Sequence, residues 1–271
     1  MKKNFKSAIA LLSATMLIFC CNQPKHKPTD EVYDEPEETV KEISFDTYSA
    51  GDSNEAYLIS LEVMLPELEN DPVVENIRRD IMGIFNVPNA NDPQTVLNRQ
   101  LQQKKVEFTE MHSELVGDGF YDDYVPQLED RLTVLHLSHN KYFMTYVLSS
   151  YGYYGGAHGG GGKGYRLYDM ATGNQITESG FLTNKSAVTN LLRTKALKEY
   201  TNENPGFEVF DKDNITAKEN FFVTPDSLIY QFGEYEIAAY CYGRPTFRLH
   251  KNEVKPYTNP ESPIYKYWFG E

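Results

Sequence analysis

Apolar residues recur at two different periods along this chain, and the periods predict its elements. Val73, Ile77, Ile81 and Ile84 repeat at helical spacing behind Asp71-Pro72, an N-cap residue followed by proline at the first helical position. Asp92-Pro93 opens a second helix in the same way, with Leu97, Leu101, Phe108, Met111 and Leu115 as its apolar stripe. Two helices are therefore predicted between residues 72 and 116. After the breaker Gly117-Asp118-Gly119 the pattern changes. Leu132 to Leu137 and Tyr142 to Leu148 are rich in β-branched and aromatic residues and flank Ser138-His139-Asn140-Lys141, which predicts a hairpin. A third helix is expected from Lys185 to Tyr200, with Val188, Leu191, Leu192 and Leu197 on one side. Phe221 to Val223 and Leu228 to Phe232 form a second hairpin around Thr224-Pro225-Asp226-Ser227, with further strands expected at Ile237 to Tyr242 and Thr246 to Leu249. The predicted class is α+β, a mainly antiparallel sheet with helices in separate blocks.

The first residues follow neither period. Lys2, Lys3 and Lys6 precede an apolar run from Ala8 to Phe19, shorter than the roughly 20 residues of a permanent span. Residues 1–20 read as a signal peptide. The run ends in Leu17-Ile18-Phe19-Cys20-Cys21-Asn22, which resembles the lipobox of bacterial lipoproteins. Cleavage before Cys21 places the small Cys20 ahead of the cut, whereas cleavage before Cys20 places Phe19 there, so Cys21 is the expected lipid attachment site. The expected localisation is the bacterial cell envelope, with the membrane reached through an N-terminal lipid. Residues 21–42 contain Asp30, Glu31, Asp34, Glu35, Glu37 and Glu38 with little to bury, and are expected to be a disordered tether. Folded structure is expected from near Ile43.

Charge narrows the partners. Removing residues 1–20 takes Lys2, Lys3 and Lys6 from the 26 basic residues and none of the 39 acidic ones, leaving a formal charge of 23 minus 39, or −16. Nucleic acid is excluded as an expected partner, since binding its backbone needs a positive face. A basic partner is easier to accept, although the same acidity also serves solubility. With Cys21 acylated and Cys20 removed, Cys241 alone remains. No intramolecular disulfide is then possible, so the fold must rest on its core, for which 20 Tyr and 15 Phe supply aromatic area.

Gly152 to Gly164 holds eight of the chain's 18 glycines in 13 residues, a segment expected to form a flexible loop. It fails as a P-loop: Ala157 stands five positions before Gly162, and Gly164 follows Lys163. Gly159, Gly161 and Gly164 have dinucleotide-fingerprint spacing, but Tyr165 to Met170 reads as a strand where that motif needs a helix. No cofactor is expected.

Tyr153-Tyr154-Gly155-Gly156-Ala157-His158-Gly159, Asp169 to Gly173, Phe181, Phe222-Val223-Thr224, Leu228, Tyr235 to Tyr240 and Gly243 together resemble the DUF3298 domain over residues 151–257. The region 43–150 is similar, more loosely, to the DUF4163 domain that commonly precedes it, and residues 258–271 are left as a C-terminal tail. Ala239 stands where the family often has proline, and the run Gly159 to Gly162 is richer in glycine than usual. The resemblance implies a PdaC/RsiV-like fold, found outside the cytoplasm in lysozyme-sensing anti-sigma factors and beside polysaccharide deacetylase domains. No segment of these 271 residues resembles a deacetylase catalytic domain, so what is implied is a sensing or wall-associated module without that output. A lysozyme-like protein or a peptidoglycan-type glycan is the implied partner.

Two readings stay open for His158: a base or ligand held in a glycine turn, or a ring that bonds backbone and fixes the turn. No serine or cysteine partner completes a nucleophilic triad. Tyr151, Tyr153 and Tyr154 read equally as a platform for sugars or a partner's side chains and as half-buried core. Tyr153, Tyr154, Gly155, Gly156 and His158 are accordingly the candidate binding residues. His158 is also the candidate catalytic residue of the alternative, a hydrolase or deacetylase-type enzyme on envelope glycans. His136 and His139 are expected on opposite faces of strand and turn, so no metal site is expected. Asp122-Asp123 and Asp211-Lys212-Asp213 read as solvated turns; the second lacks the glycine and terminal glutamate of a calcium loop.

Overall fold

A computed structural model of the chain describes residues 40–67, 70–87, 92–117 and 125–270. The expected signal peptide, Cys21, Asp122-Asp123 and most of the expected tether lie outside the described residues. Regular structure opens with β1 (Ser44–Ser53), antiparallel to β2 (Tyr57–Glu67). This hairpin was not among the predicted elements. Strand β2 nonetheless alternates, burying Tyr57, Ile59, Leu61, Val63 and Leu65. Helices α1 (Pro72–Gly83) and α2 (Pro93–Gly117) follow, each started as the sequence predicts. The Asp71 carboxylate accepts from the N–H groups of Val73 and Val74, and Asp92 accepts from Thr95 N–H at 2.7 Å. The chain then enters β3 (Leu128–His139), which runs parallel to β2. A parallel pair needs a long crossover, and the two helices supply it. Strands β4 (Phe143–Tyr153) and β5 (Gly160–Asp169) complete a five-stranded sheet in the order β1-β2-β3-β4-β5. Every pairing but β2–β3 is antiparallel.

Alternation along β4 divides the core. Met144 and Tyr146 pack with Ile77 and Ile81 of α1 and Leu97 and Phe108 of α2. Phe143, with Tyr165 and Leu167 of β5, packs into a second cluster on the other face. That cluster is built by α3 (Glu178–Phe181), α4 (Lys185–Leu191), a π-helical turn (Leu192–Ala196) and α5 (Leu197–Glu203). A three-stranded antiparallel sheet of β6 (Phe221–Val223), β7 (Ser227–Gln231) and β8 (Thr246–His250) joins it, followed by α6 (Lys251–Val254) and α7 (Pro263–Phe269). The larger sheet is therefore a middle layer, and the expected domain boundary at residue 150 lies inside β4. Trp268 of α7 is buried and donates its indole N–H to the Thr224 carbonyl at 2.8 Å. Each fully buried Leu, Ile or Phe stabilises by about 1.5–3 kcal/mol, so these two clusters are the main source of the fold's stability.

Two expectations are corrected. Residues 237–242 form no strand: Ala238 makes one isolated bridge to Val209, and Tyr240–Tyr242 is a 3-10 turn. The segment is bracketed by positive φ angles at Tyr235 and Gly243, which bend it away from an extended path. His136 and His139 do not diverge. The β3–β4 register shifts between His136 and Ser138, and one extra residue in a strand inverts the faces of those after it. Leu137 is turned outward, 53 % exposed, and His139 Nδ1 lies 3.1 Å from His136 Nε2.

Candidate functional site

The turn joining β4 to β5 is shaped by its glycines. Gly155 and Gly156 have φ of 90° and 98°, a region that strains any residue with a Cβ. The Tyr153 hydroxyl donates to the Gly156 carbonyl at 2.9 Å. The expected long loop is half strand, which corrects that prediction. Gly160 to Gly164 belong to β5 and pair with β4 from Gly152↔Gly160 to Leu148↔Gly164, because ladder hydrogen bonds use only backbone. Their lack of side chains has a further use. A Cβ on Gly161 would stand 2.6 Å from the Ser150 carbonyl and 2.7 Å from Nη2 of Arg244, so glycine lets the guanidinium lie against the strand. Arg244 pairs with Glu234 at 3.1 Å, and Gly161 N–H points to the same carboxylate at 3.4 Å.

Beside this ion pair three exposed rings come together. The imidazole of His158 stacks on Tyr240 with centroids 4.8 Å apart and planes 25° apart. Tyr235 stacks on Tyr240 at 5.4 Å and 28° and lies 6.4 Å and 20° from His158. The centroids form a compact triangle of nearly parallel rings, a pavement rather than a pile. Tyr235 is 55 % and Tyr240 41 % exposed, and His158 is exposed as well. Tyr235 holds φ at 62°, an uncommon backbone for a bulky residue, of the sort that concentrates at functional sites. Tyr151, also exposed, lays its phenol over Gly159, next to His158.

The predicted residues thus separate. His158 joins the pavement, with Nδ1 3.0 Å from the Gly159 carbonyl. Tyr154 turns away toward α2, its ring 5.7 Å from Phe108, and its hydroxyl is pushed to a higher pKa first by burial and then by Asp130 and Glu107. Tyr153, Gly155 and Gly156 shape the turn. Among the described residues, the Gly159 carbonyl is the hydrogen-bonding partner of His158, and no carboxylate joins it. A cleft of about 500 Å³ lies elsewhere, lined by Asn76, Arg79, Asp80, Arg166, Asn174 and Gln175 among others. Glu234, Tyr235, Tyr240 and Arg244 were not among the candidates read from the sequence. Their signal was the family-like run from Tyr235 to Tyr240 with Gly243, which carried the resemblance without marking which side chains stay exposed.

Residues 175–252 match the model of a family described as proteins of unknown function, DUF3298. They form a DUF3298 domain. The fold extends the likeness. A member of the DUF3298 family from Bacteroides fragilis superposes with a TM-score of 0.73 at 15 % identity, covering 86 % of this chain and 100 % of that one. A DUF3298 family protein from Pseudomonas aeruginosa gives a TM-score of 0.51, again at 15 % identity, over 81 % of this chain and 96 % of that one. At this identity the likeness is one of fold. No curated protein matches. The DUF3298 domain supplies Glu234, Tyr235, Tyr240 and Arg244, while His158 and Tyr151 come from the β4–β5 hairpin ahead of it. No helix among the described residues is long and apolar enough to cross a membrane.

Proposed function

We propose that this protein is a lipid-anchored binding module of the bacterial envelope, and that His158, Tyr235 and Tyr240 are its recognition surface. The observation carrying this reading is the pavement itself. Its rings are exposed yet held in one orientation by one another, by the turn at Gly155-Gly156 and by the strained backbone of Tyr235. Exposed aromatic groups of this kind supply contact area at low entropic cost. Rings open on one side suit the apolar face of a sugar or the side chains of a protein. The ring surface suits a peptidoglycan-type glycan or a lysozyme-like basic protein, and the −16 charge of the lipid-bearing chain favours the second. The enzymatic reading of His158 is the weaker one: among the described residues its hydrogen-bonding partner is the Gly159 carbonyl, not a nucleophile or a carboxylate.

Calorimetric titration of the chain with soluble wall fragments and with lysozyme tests the reading. Saturable binding of either is expected; absence of binding to both at high micromolar concentration overturns it. Mass spectrometry of the mature N-terminus tests the anchor, with a diacylated or triacylated Cys21 expected and an unmodified N-terminus contradicting it.

A further inference from the structure

We infer that His136 and His139 form a two-imidazole binding site for a divalent transition-metal ion, Cu²⁺ by preference. The bulge in β3 sets His136 Nε2 and His139 Nδ1 face to face, 3.1 Å apart. Two nitrogens each about 2.0–2.1 Å from one metal ion stand roughly 2.9 Å apart at a right angle and roughly 3.3–3.4 Å apart at a tetrahedral one. The observed separation falls between these limits, so an ion enters with a shift of a few tenths of an ångström. The rings are held in place: Phe45 of β1 stacks on His136 at 4.0 Å and 24°, and Tyr146 of β4 meets it edge-on at 5.9 Å. Phe45 also reaches His139, at 5.9 Å. Two neutral imidazoles in this arrangement share one proton between the facing nitrogens. On metal binding that proton moves to the outer nitrogen of its ring, so no charge is lost or gained by the protein.

The donor set decides the ion. Imidazole favours Cu²⁺, Ni²⁺ and Zn²⁺ over Mg²⁺ and Ca²⁺, and Cu²⁺ binds most tightly of the divalent series. Among the described residues no third His, Cys, Asp or Glu converges on the pair. The remaining coordination positions therefore belong to water or to a ligand from outside. The site lies on the helix-covered face of the sheet, and it stands independently of the partner binding proposed for the pavement.

The test is Cu²⁺ titration of the full chain after chelator treatment, followed by pulsed electron paramagnetic resonance. One ion bound per chain with two imidazole nitrogens is expected. His139→Gln should leave one imidazole and weaken binding at least about tenfold, since even groups that only support a metal ligand are worth 10–100-fold in affinity. His158→Gln should change neither. The spectrum of the unaltered chain reports the ligand count without any variant. A spectrum lacking two imidazoles, or equal affinity in His139→Gln, overturns the inference.

Discussion

The Tyr240 ring lies 4.8 Å from the His158 imidazole and 25° from parallel to it, which joins the β4–β5 turn to a loop of the DUF3298 domain through two exposed side chains. Contacts between distant segments are ordinarily buried, where they contribute most. This one leaves its rings open to solvent, so the chain keeps aromatic surface in a fixed orientation without covering it.

Tyr235 separates stability from recognition. Its φ of 62° costs a residue with a Cβ roughly 1–2 kcal/mol, and glycine avoids that cost while enlarging the entropy of the unfolded chain by about 0.4–1 kcal/mol. Tyr235→Gly should therefore unfold within about 1 kcal/mol of the parent, despite losing a large side chain. Partner binding should nonetheless fall. Denaturant unfolding paired with titration checks both halves.

The glycines of β5 are not equivalent. Gly161→Ala places a Cβ 2.6 Å from the Ser150 carbonyl and should destabilise by about 1–3 kcal/mol as an overpacked position does. At Gly160 a Cβ meets nothing within 4 Å, so Gly160→Ala should be neutral or slightly stabilising. Thermal melts of the two variants give the comparison.

His136 makes stability depend on pH. Burial, reinforced by the neighbouring His139, holds its pKa down at about 4 against an ordinary 6.5. Between those values the unfolded chain takes up a proton that the folded chain does not, so this contribution is present above pH 6.5 and is lost as pH falls toward 4. In the presence of chelator, His136→Phe should flatten the loss of stability between about pH 7 and about pH 5, a range above most carboxylate titration. An unchanged slope would contradict the assignment.

Asp80 ties α1 to β5. Its carboxylate accepts from the Tyr168 hydroxyl at 2.7 Å and pairs with Arg166 at 2.6 Å, and Tyr168 is fully buried. Asp80→Ala leaves a buried hydroxyl without this acceptor and should cost about 1–3 kcal/mol. Tyr168→Phe should restore part of that loss in the double variant, measured by denaturant unfolding.

The helices were legible because their signals are local: Asp71 and Asp92 announce their own caps, and Ile77, Ile81, Leu97 and Leu101 repeat on one face. The strands at 132–148 and 221–232 were legible from composition. What stayed hidden depends on backbone bends and on long-range pairing. Ile237 to Tyr242 is kept from an extended path by the positive φ angles at Tyr235 and Gly243, which its apolar pattern does not announce. The face of His139 turns on a single inserted residue, Leu137, whose effect exists only in the register with β4. In the candidate site, His158 was legible as a polar residue among glycines. Its partners were not, because Tyr235 and Tyr240 are brought to it by tertiary packing, and Tyr240 sits in a run that reads as apolar strand.

The central claim is that the ring pavement is where a partner binds. Parallel titrations of the parent, Tyr240→Ala and Tyr235→Gly with soluble peptidoglycan fragments and with lysozyme test it most directly. Binding to one of them should weaken by at least roughly tenfold in both variants, the effect expected of a hot-spot ring, while His139→Gln binds like the parent. Equal affinity in all four proteins would place recognition elsewhere and contradict the account.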